Sequence, residues 1–227
     1  MKMSNLYKVI LIGSIFIFSC DKSRNTNVYT NETSISRLWT EEDRLFILSG
    51  LDRTTEEVKR EAEDLSEAQS KFRESNGRWN ITEIIEHLEV QNELHFREIR
   101  AISKTPKLPE YIEIAKGMDS HYLAYSTDSV RGKAQWFLEP IGRFTSMEKA
   151  LEAFLRTRSY FTDFVRSTDV DFRRHFTFRR NLENIELSEI KPGDVRDLHQ
   201  LVLTGIAHTD RHLAQIRRIK LHADFPK

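Results

Sequence analysis

With 227 residues, 35 basic and 35 acidic side chains, the chain is long enough to bury its own core, and its lack of a basic excess argues against nucleic acid as the main partner. A composition 39% hydrophobic and 31% charged, with only 8 Gly and 5 Pro, favours helices with solvated faces over a many-turned β fold. The single cysteine, Cys20, excludes an internal disulfide framework and any CxxC zinc or redox site.

The chain opens on an address. Lys2 and Lys8 form a short basic region, and Val9 to Phe18 form an apolar run too short to span a bilayer but right for the hydrophobic region of a signal peptide. The run ends in Ile17-Phe18-Ser19-Cys20, which resembles a bacterial lipobox and makes Cys20 the expected lipidation site. Cleavage before Cys20 removes Lys2 and Lys8 and leaves the acids in excess by two. A polar stretch without periodicity follows and reads as a flexible tether. The expected organisation is a lipoprotein-like signal over 1–20, a tether over 21–37 and one helical domain over 38–227, on a protein held at the cell envelope outside the cytoplasm.

A first long helix is predicted over 41–65. It starts on acids that suit a helix N-terminus, and Leu45, Leu48, Leu51, Thr55, Val58, Ala62 and Leu65 mark its apolar face. The second starts at Asn80, with Glu83 completing a capping box and Trp79 and Ile84 at the positions of a hydrophobic staple. Its stripe runs through Ile81, Ile84, Ile85, Leu88, His95, Ile99 and Ile102, and it stops before Pro106. Residues 103–145 form a link punctuated by Pro and Gly, with short helices inside. The third long helix is expected to be capped by Thr145 and Glu148. Its apolar face is Met147, Ala150, Leu151, Phe154, Leu155, Phe161, Phe164 and Val165. Residues 168–191 read as a charged, irregular link. Pro192-Gly193-Asp194 then opens the fourth helix near Asp194, with Leu198, Leu201, Val202, Gly205, Thr209, His212, Ile216 and Ile219 facing inward.

Four amphipathic helices without a strong strand pattern predict an all-α four-helix bundle. A helix of about 20 residues is ~30 Å long. The link of about 40 residues between the second and third helices can retrace that length at up to ~3.4 Å per residue, which allows the two to run parallel.

The chemistry concentrates in His-Thr-Asp-Arg-His, which sets His208 and His212 one turn apart on the core side of the fourth helix. His87 lies on the shoulder of the second helix's stripe, and antiparallel packing of these two helices brings it to the same level. Three neutral imidazoles with open coordination positions suit Zn, Ni, Fe or Mn. The affinity of such a site falls as pH drops through the imidazole range, near ~6.5. His95 reads as a packed core residue, and His199 is too far along its helix to share the ion. His121, His175 and His222 read as exposed, and Arg217-Arg218 as a solvated face. Glu83, Glu86 and Asp210 lie nearby in sequence but read as caps or solvated charges, so no general base is assigned. There is no HExxH, GxSxG, GxGxxG or P-loop.

The segments GRWNITEIIEHL, PIGRFTSMEKALEAFLRTR and HTDRHLAQIRRI resemble the DinB-like superfamily of small bacterial metal-binding bundles. The resemblance covers most of 41–226, and the H-x3-H followed by L-x-Q-I is its most specific part. It implies an up-down-down-up bundle with a divalent metal on His87, His208 and His212. Some relatives of this type are thiol-dependent transferases or isomerases. Two departures stand out: the lipoprotein-like signal, and the charged segment 168–193 containing Arg173, Arg174, Arg179 and Arg180, where relatives often have a short turn. The expected function is that of a divalent-metal-binding, metal-dependent thiol transferase or hydrolase, the alternative being a non-catalytic metal- or ligand-binding envelope lipoprotein. The expected partners are a small-molecule substrate, a thiol being one class, and the membrane through the lipid. A homodimer is compatible with this reading.

Overall fold

The computed structural model describes residues 36–124 and 134–227. The signal-like run, Cys20 and the tether up to residue 35 lie outside the described residues, as does the middle of the first long link. Ser36–Lys227 form one compact unit. Among the described residues no helix is long and apolar enough to cross a membrane.

Four long helices dominate: α1 (Glu41–Ala62), α3 (Ile81–Ile102), α6 (Met147–Ser167) and α7 (Leu198–Lys220). Each is started by a side chain that accepts a backbone N–H of its first turn: Thr40, Asn80, Ser146 and Asp197. The boxes at Thr40, Asn80 and Asp197 are reciprocal; Asn80 and Glu83 satisfy each other's backbone N–H at 2.9 Å in both directions. Short helices α2 (Glu67–Ser70), α4 (Ile112–Ala115) and α5 (Asp119–Leu123) lie in the links. Helices α1 and α3 each pack on both α6 and α7, which gives the four-helix bundle.

The core divides into two main clusters. One joins Ile47, Leu48 and Leu51 to Ile99, Phe161, Val165, Leu198 and Val202. The other joins Val58 and Ala62 to Ile81, Ile85, Met147, Phe154, Leu213 and Ile216. Between them α3, α6 and α7 bury polar side chains, among them Glu89, Asn92, His95, Thr157, Arg158 and Thr209. Gly50 lets α1 approach α7 closely: a Cβ there would stand 2.7 Å from Cδ1 of Ile206, whose side chain would have to shift.

The structure corrects five expectations. Leu45 is 59% exposed; the buried stripe of α1 runs through Arg44 instead, whose guanidinium donates to the carbonyls of Val165, Arg166 and Thr168 at 2.6–3.0 Å. Those carbonyls end α6 and have no intrahelical donors, so a cation there satisfies them. The cap of α6 is Ser146, not Thr145, with its hydroxyl accepting from the N–H of Lys149. The 168–191 link is ordered rather than irregular: β1 (Phe176–Phe178) pairs antiparallel with β2 (Val195–Asp197) over a small cluster of Ala115, Phe176, Ile190 and Val195. Pro192–Asp194 is a 3-10 turn leading into β2, so α7 starts at Leu198 rather than at Asp194. His175, in the same segment, is buried rather than exposed.

Arg173 pins this segment to the bundle. Its guanidinium reaches Asp43, Asp119 and Asp197 at 2.8–3.1 Å. The Arg217-Arg218 pair is likewise engaged, with Glu57, Glu61 and Glu74 at 2.6–2.9 Å.

Candidate metal centre

The second turn of α3 and the C-terminal half of α7 meet beside Trp79. Spacings of three and four keep Ile84, Ile85 and Leu88 in the core and set His87 at its edge. On α7 the same periodicity buries Thr209, Leu213 and Ile216 and turns His208 and His212 toward α3. One ring nitrogen from each of His87, His208 and His212 lies within 4.8 Å of the others. Trp79 covers the cluster, its ring centroid 4.9 Å from that of His87 and 6.2 Å from that of His212.

Each partner of these rings fixes a tautomer. Nδ1 of His87 lies 2.8 Å from the Leu138 carbonyl; a carbonyl only accepts, so Nδ1 carries the proton and Nε2 keeps its lone pair. Nδ1 of His212 is 3.0 Å from Oε1 of Gln215, which leaves Nε2 of His212 bare in the same way. Nε2 of His87 and Nε2 of His208 face each other at 3.0 Å, a separation that needs a proton or a cation between them. Two nitrogens that share one transition metal at ~2.1 Å stand roughly 3.0–3.4 Å apart. The donor set therefore fits a divalent ion: neutral imidazoles, bare Nε2 lone pairs and outer partners that orient the rings.

Electrostatics keep the set neutral. Burial is the main cause that lowers all three pKa values. His208 is held well below the ordinary imidazole range, with the neighbouring His212 and His87 adding to the effect. His212 is pushed down to about 3. His87 is lowered by burial against the opposing pull of the Leu138 carbonyl.

Sequence reasoning missed the support beneath these residues. Glu86 is not solvated: it is 1% exposed and accepts from the N–H groups of Ile141, Gly142 and Arg143 and from the Arg143 guanidinium, at 2.7–3.2 Å. It thereby holds the loop that presents Leu138 to the next residue, His87. Asp210 is also committed, to Arg53 in a bidentate pair at 2.8 Å, and Glu83 to its cap and to Arg73 at 2.6 Å. The other histidines are not part of the cluster. The buried His95 takes the Gln91 amide at 2.7 Å on its Nε2, and Nδ1 of His199 accepts from the Trp39 indole at 3.1 Å.

The triad opens into a groove of about 1590 Å³, lined also by Trp79, His95, His121, Arg179, Arg196 and Arg211. The sequence model of the DinB superfamily matches residues 50–216, a span that contains all three histidines and most of the bundle. The chain belongs to the DinB superfamily. Among solved structures, YfiT from Bacillus subtilis, described as a probable metal-dependent hydrolase with an unusual four-helix bundle topology, superposes with a TM-score of 0.54 at 14% identity, covering 85% of this chain and 91% of YfiT. At that identity the likeness establishes the shared DinB fold. No curated protein sequence matches significantly.

Proposed function

We propose that this DinB protein is a divalent-metal-dependent enzyme, and that His87, His208 and His212 are its ligands. The convergence of three neutral imidazoles, two of them with Nε2 freed by a partner on Nδ1, is the observation that carries the reading. An ion held there supplies Lewis acidity and acidifies a water or thiol. The chain's own residues do the rest. Leu138 and Gln215 orient rings, Glu86 holds the loop beneath them, and Trp79 shields one side of the cluster from water. The description of YfiT as a probable metal-dependent hydrolase favours water over a thiol as the nucleophile.

The helix directions proposed for this site are up-down-down-up. Arg44, at the start of α1, reaches the end of α6. Arg53 and Arg217 pair α1 and α7 level by level. Phe96 stacks on Phe161 near the C-terminal ends of α3 and α6. Antiparallel α3 and α7 then set His87 against His208.

The proposed location is the cell envelope, with Cys20 lipidated; the apolar run ending at Ser19-Cys20 supports it. Lipid labelling and membrane fractionation of wild type and Cys20→Ser test this part: unchanged partition without label overturns it.

Elemental analysis of the purified full chain, followed by a screen of ester, amide and thiol substrates with and without chelator, tests the function. About one transition metal per chain and chelator-sensitive turnover are expected. A chain that takes up no transition metal at neutral pH overturns the reading.

A further inference from the structure

Arg196 sits in the middle of β2, with its side chain 15% exposed in the wall of the groove. Its donors are poorly met. Nε is buried without an acceptor, and Nη2 reaches only the Thr177 hydroxyl, at 3.2 Å. Glu98 lies 3.8 Å away, the longest of the arginine–carboxylate ion pairs among the described residues; Arg53–Asp210 and Arg143–Glu86 close to 2.8 and 2.7 Å. Arg179, one residue beyond β1, lines the same groove, and among the described residues no carboxylate stands within ion-pair distance of it. Burial holds Arg196 below the ordinary arginine value; Glu98 and Tyr122 oppose that shift, and the charge of Arg179 adds to it as the smallest of these effects. A mostly buried guanidinium with idle donors beside a second cation is a costly arrangement for a structural role. It is the arrangement that receives an oxyanion, which accepts two parallel N–H bonds and relieves the repulsion. The groove that holds these arginines also presents His87, His208 and His212.

We propose that the substrate carries a carboxylate or phosphoryl group that seats on Arg196 and Arg179 while its reactive end faces the three histidines; the proposal rests on the reading of this groove as the active site. Arg196 lies in β2 and Arg179 directly follows β1, so the strand pair and its flank supply part of the specificity.

Inorganic phosphate and succinate are the probes, titrated by calorimetry into the full chain as purified, with metal content measured in parallel. At least one of them binds saturably in the millimolar range. Affinity falls about tenfold or more in Arg196→Gln and in Arg179→Gln, and is unchanged in Arg97→Gln, an exposed arginine paired with Glu93 on α3. The exposed Arg179 decides if Arg196→Gln fails to fold. Tighter binding of one probe names the group. Binding persists in His208→Ala; its loss there places the anion on the metal and overturns the proposal. Absence of saturable binding, or equal binding by both groove variants and wild type, also overturns it. A wild type that holds metal but no anion fails the substrate class alone. One that holds the anion through Arg196 but no metal fails the metal reading alone.

Discussion

The Leu138 carbonyl stands 2.8 Å from Nδ1 of His87, and the loop that carries it hangs from the carboxylate of Glu86, the residue before His87. One turn of α3 thus contributes both a donor nitrogen and the clamp that aims it. Glu86→Ala leaves three loop N–H groups without their acceptor and frees the loop. It should cost about 2–3 kcal/mol of stability and weaken metal binding roughly 10–100-fold, as read by denaturant unfolding and competitive chelator titration. Metal affinity unchanged in a folded Glu86→Ala variant contradicts the clamp.

His87→Ala, His208→Ala and His212→Ala should each remove most of the metal, whereas His222→Ala, next to Phe72 and away from the cluster, should keep it. Because binding to the folded form stabilises it, chelator should lower the melting temperature of the wild type and barely move that of His208→Ala. Equal shifts in both would show that the ion sits elsewhere.

Without metal, the three rings make stability depend on pH in one direction. Unfolded, they titrate near ~6.5. Folded, they resist protonation, and His212 does so down to about 3. As pH falls below ~6.5 the unfolded chain takes up protons that the folded one refuses, so stability drops, by up to about 1.4 kcal/mol per pH unit for each ring, until the folded values are reached. Above ~6.5 the three contribute no slope. Proton competition against the metal correspondingly sets in below the ordinary imidazole range, lower than sequence alone predicts. Urea midpoints of the metal-free protein from pH 7.5 to pH 5 check the sign; a rise toward acid refutes it.

Asn80→Ala removes the cap that starts α3 seven residues before His87. The loss should be about 1 kcal/mol, seen as a lower unfolding midpoint with an unchanged helical spectrum. No loss would mean that the reciprocal bond with Glu83 carries no net stability.

Gly50→Ala tests the approach of α1 to α7. The added methyl meets Ile206, and the overpacking should cost about 1–3 kcal/mol. Stabilisation, as expected from helix propensity alone, would show that Ile206 yields freely.

Helical periodicity and the strongest cap were legible from local chemistry: Asn80 with Glu83, and the inner faces of α6 and α7; the α6 cap was missed by one residue, because Thr145 and Ser146 are both capping types side by side. His208 and His212 were legible because one helix fixes their spacing, and His87 because its shoulder position follows from the stripe on α3. Local pattern failed where distant chain supplies the partner. Arg44 looks solvated until the end of α6 needs donors, and Leu45, a better hydrophobe, loses its place to it. The strands Phe176–Phe178 and Val195–Asp197 are three residues each, too short for alternation to register, and pair across a long connection. The Leu138 carbonyl leaves no trace in sequence, since every residue has one. Glu86 could have been suspected: it follows Ile85 and precedes His87 on a face with no room for an unpaired charge.

The three tryptophans occupy three different surroundings. Trp39 is wholly buried, stacked on Phe172 at 4.3 Å. Trp136 is 82% exposed. Trp79 lies against His87 and His212 of the cluster. The protein therefore carries its own optical reporter. A paramagnetic ion such as Ni(II) or Mn(II) arriving among the rings would quench the emission of Trp79 ahead of the other two, and Trp79→Phe would silence that response while the remaining fluorescence stayed in place.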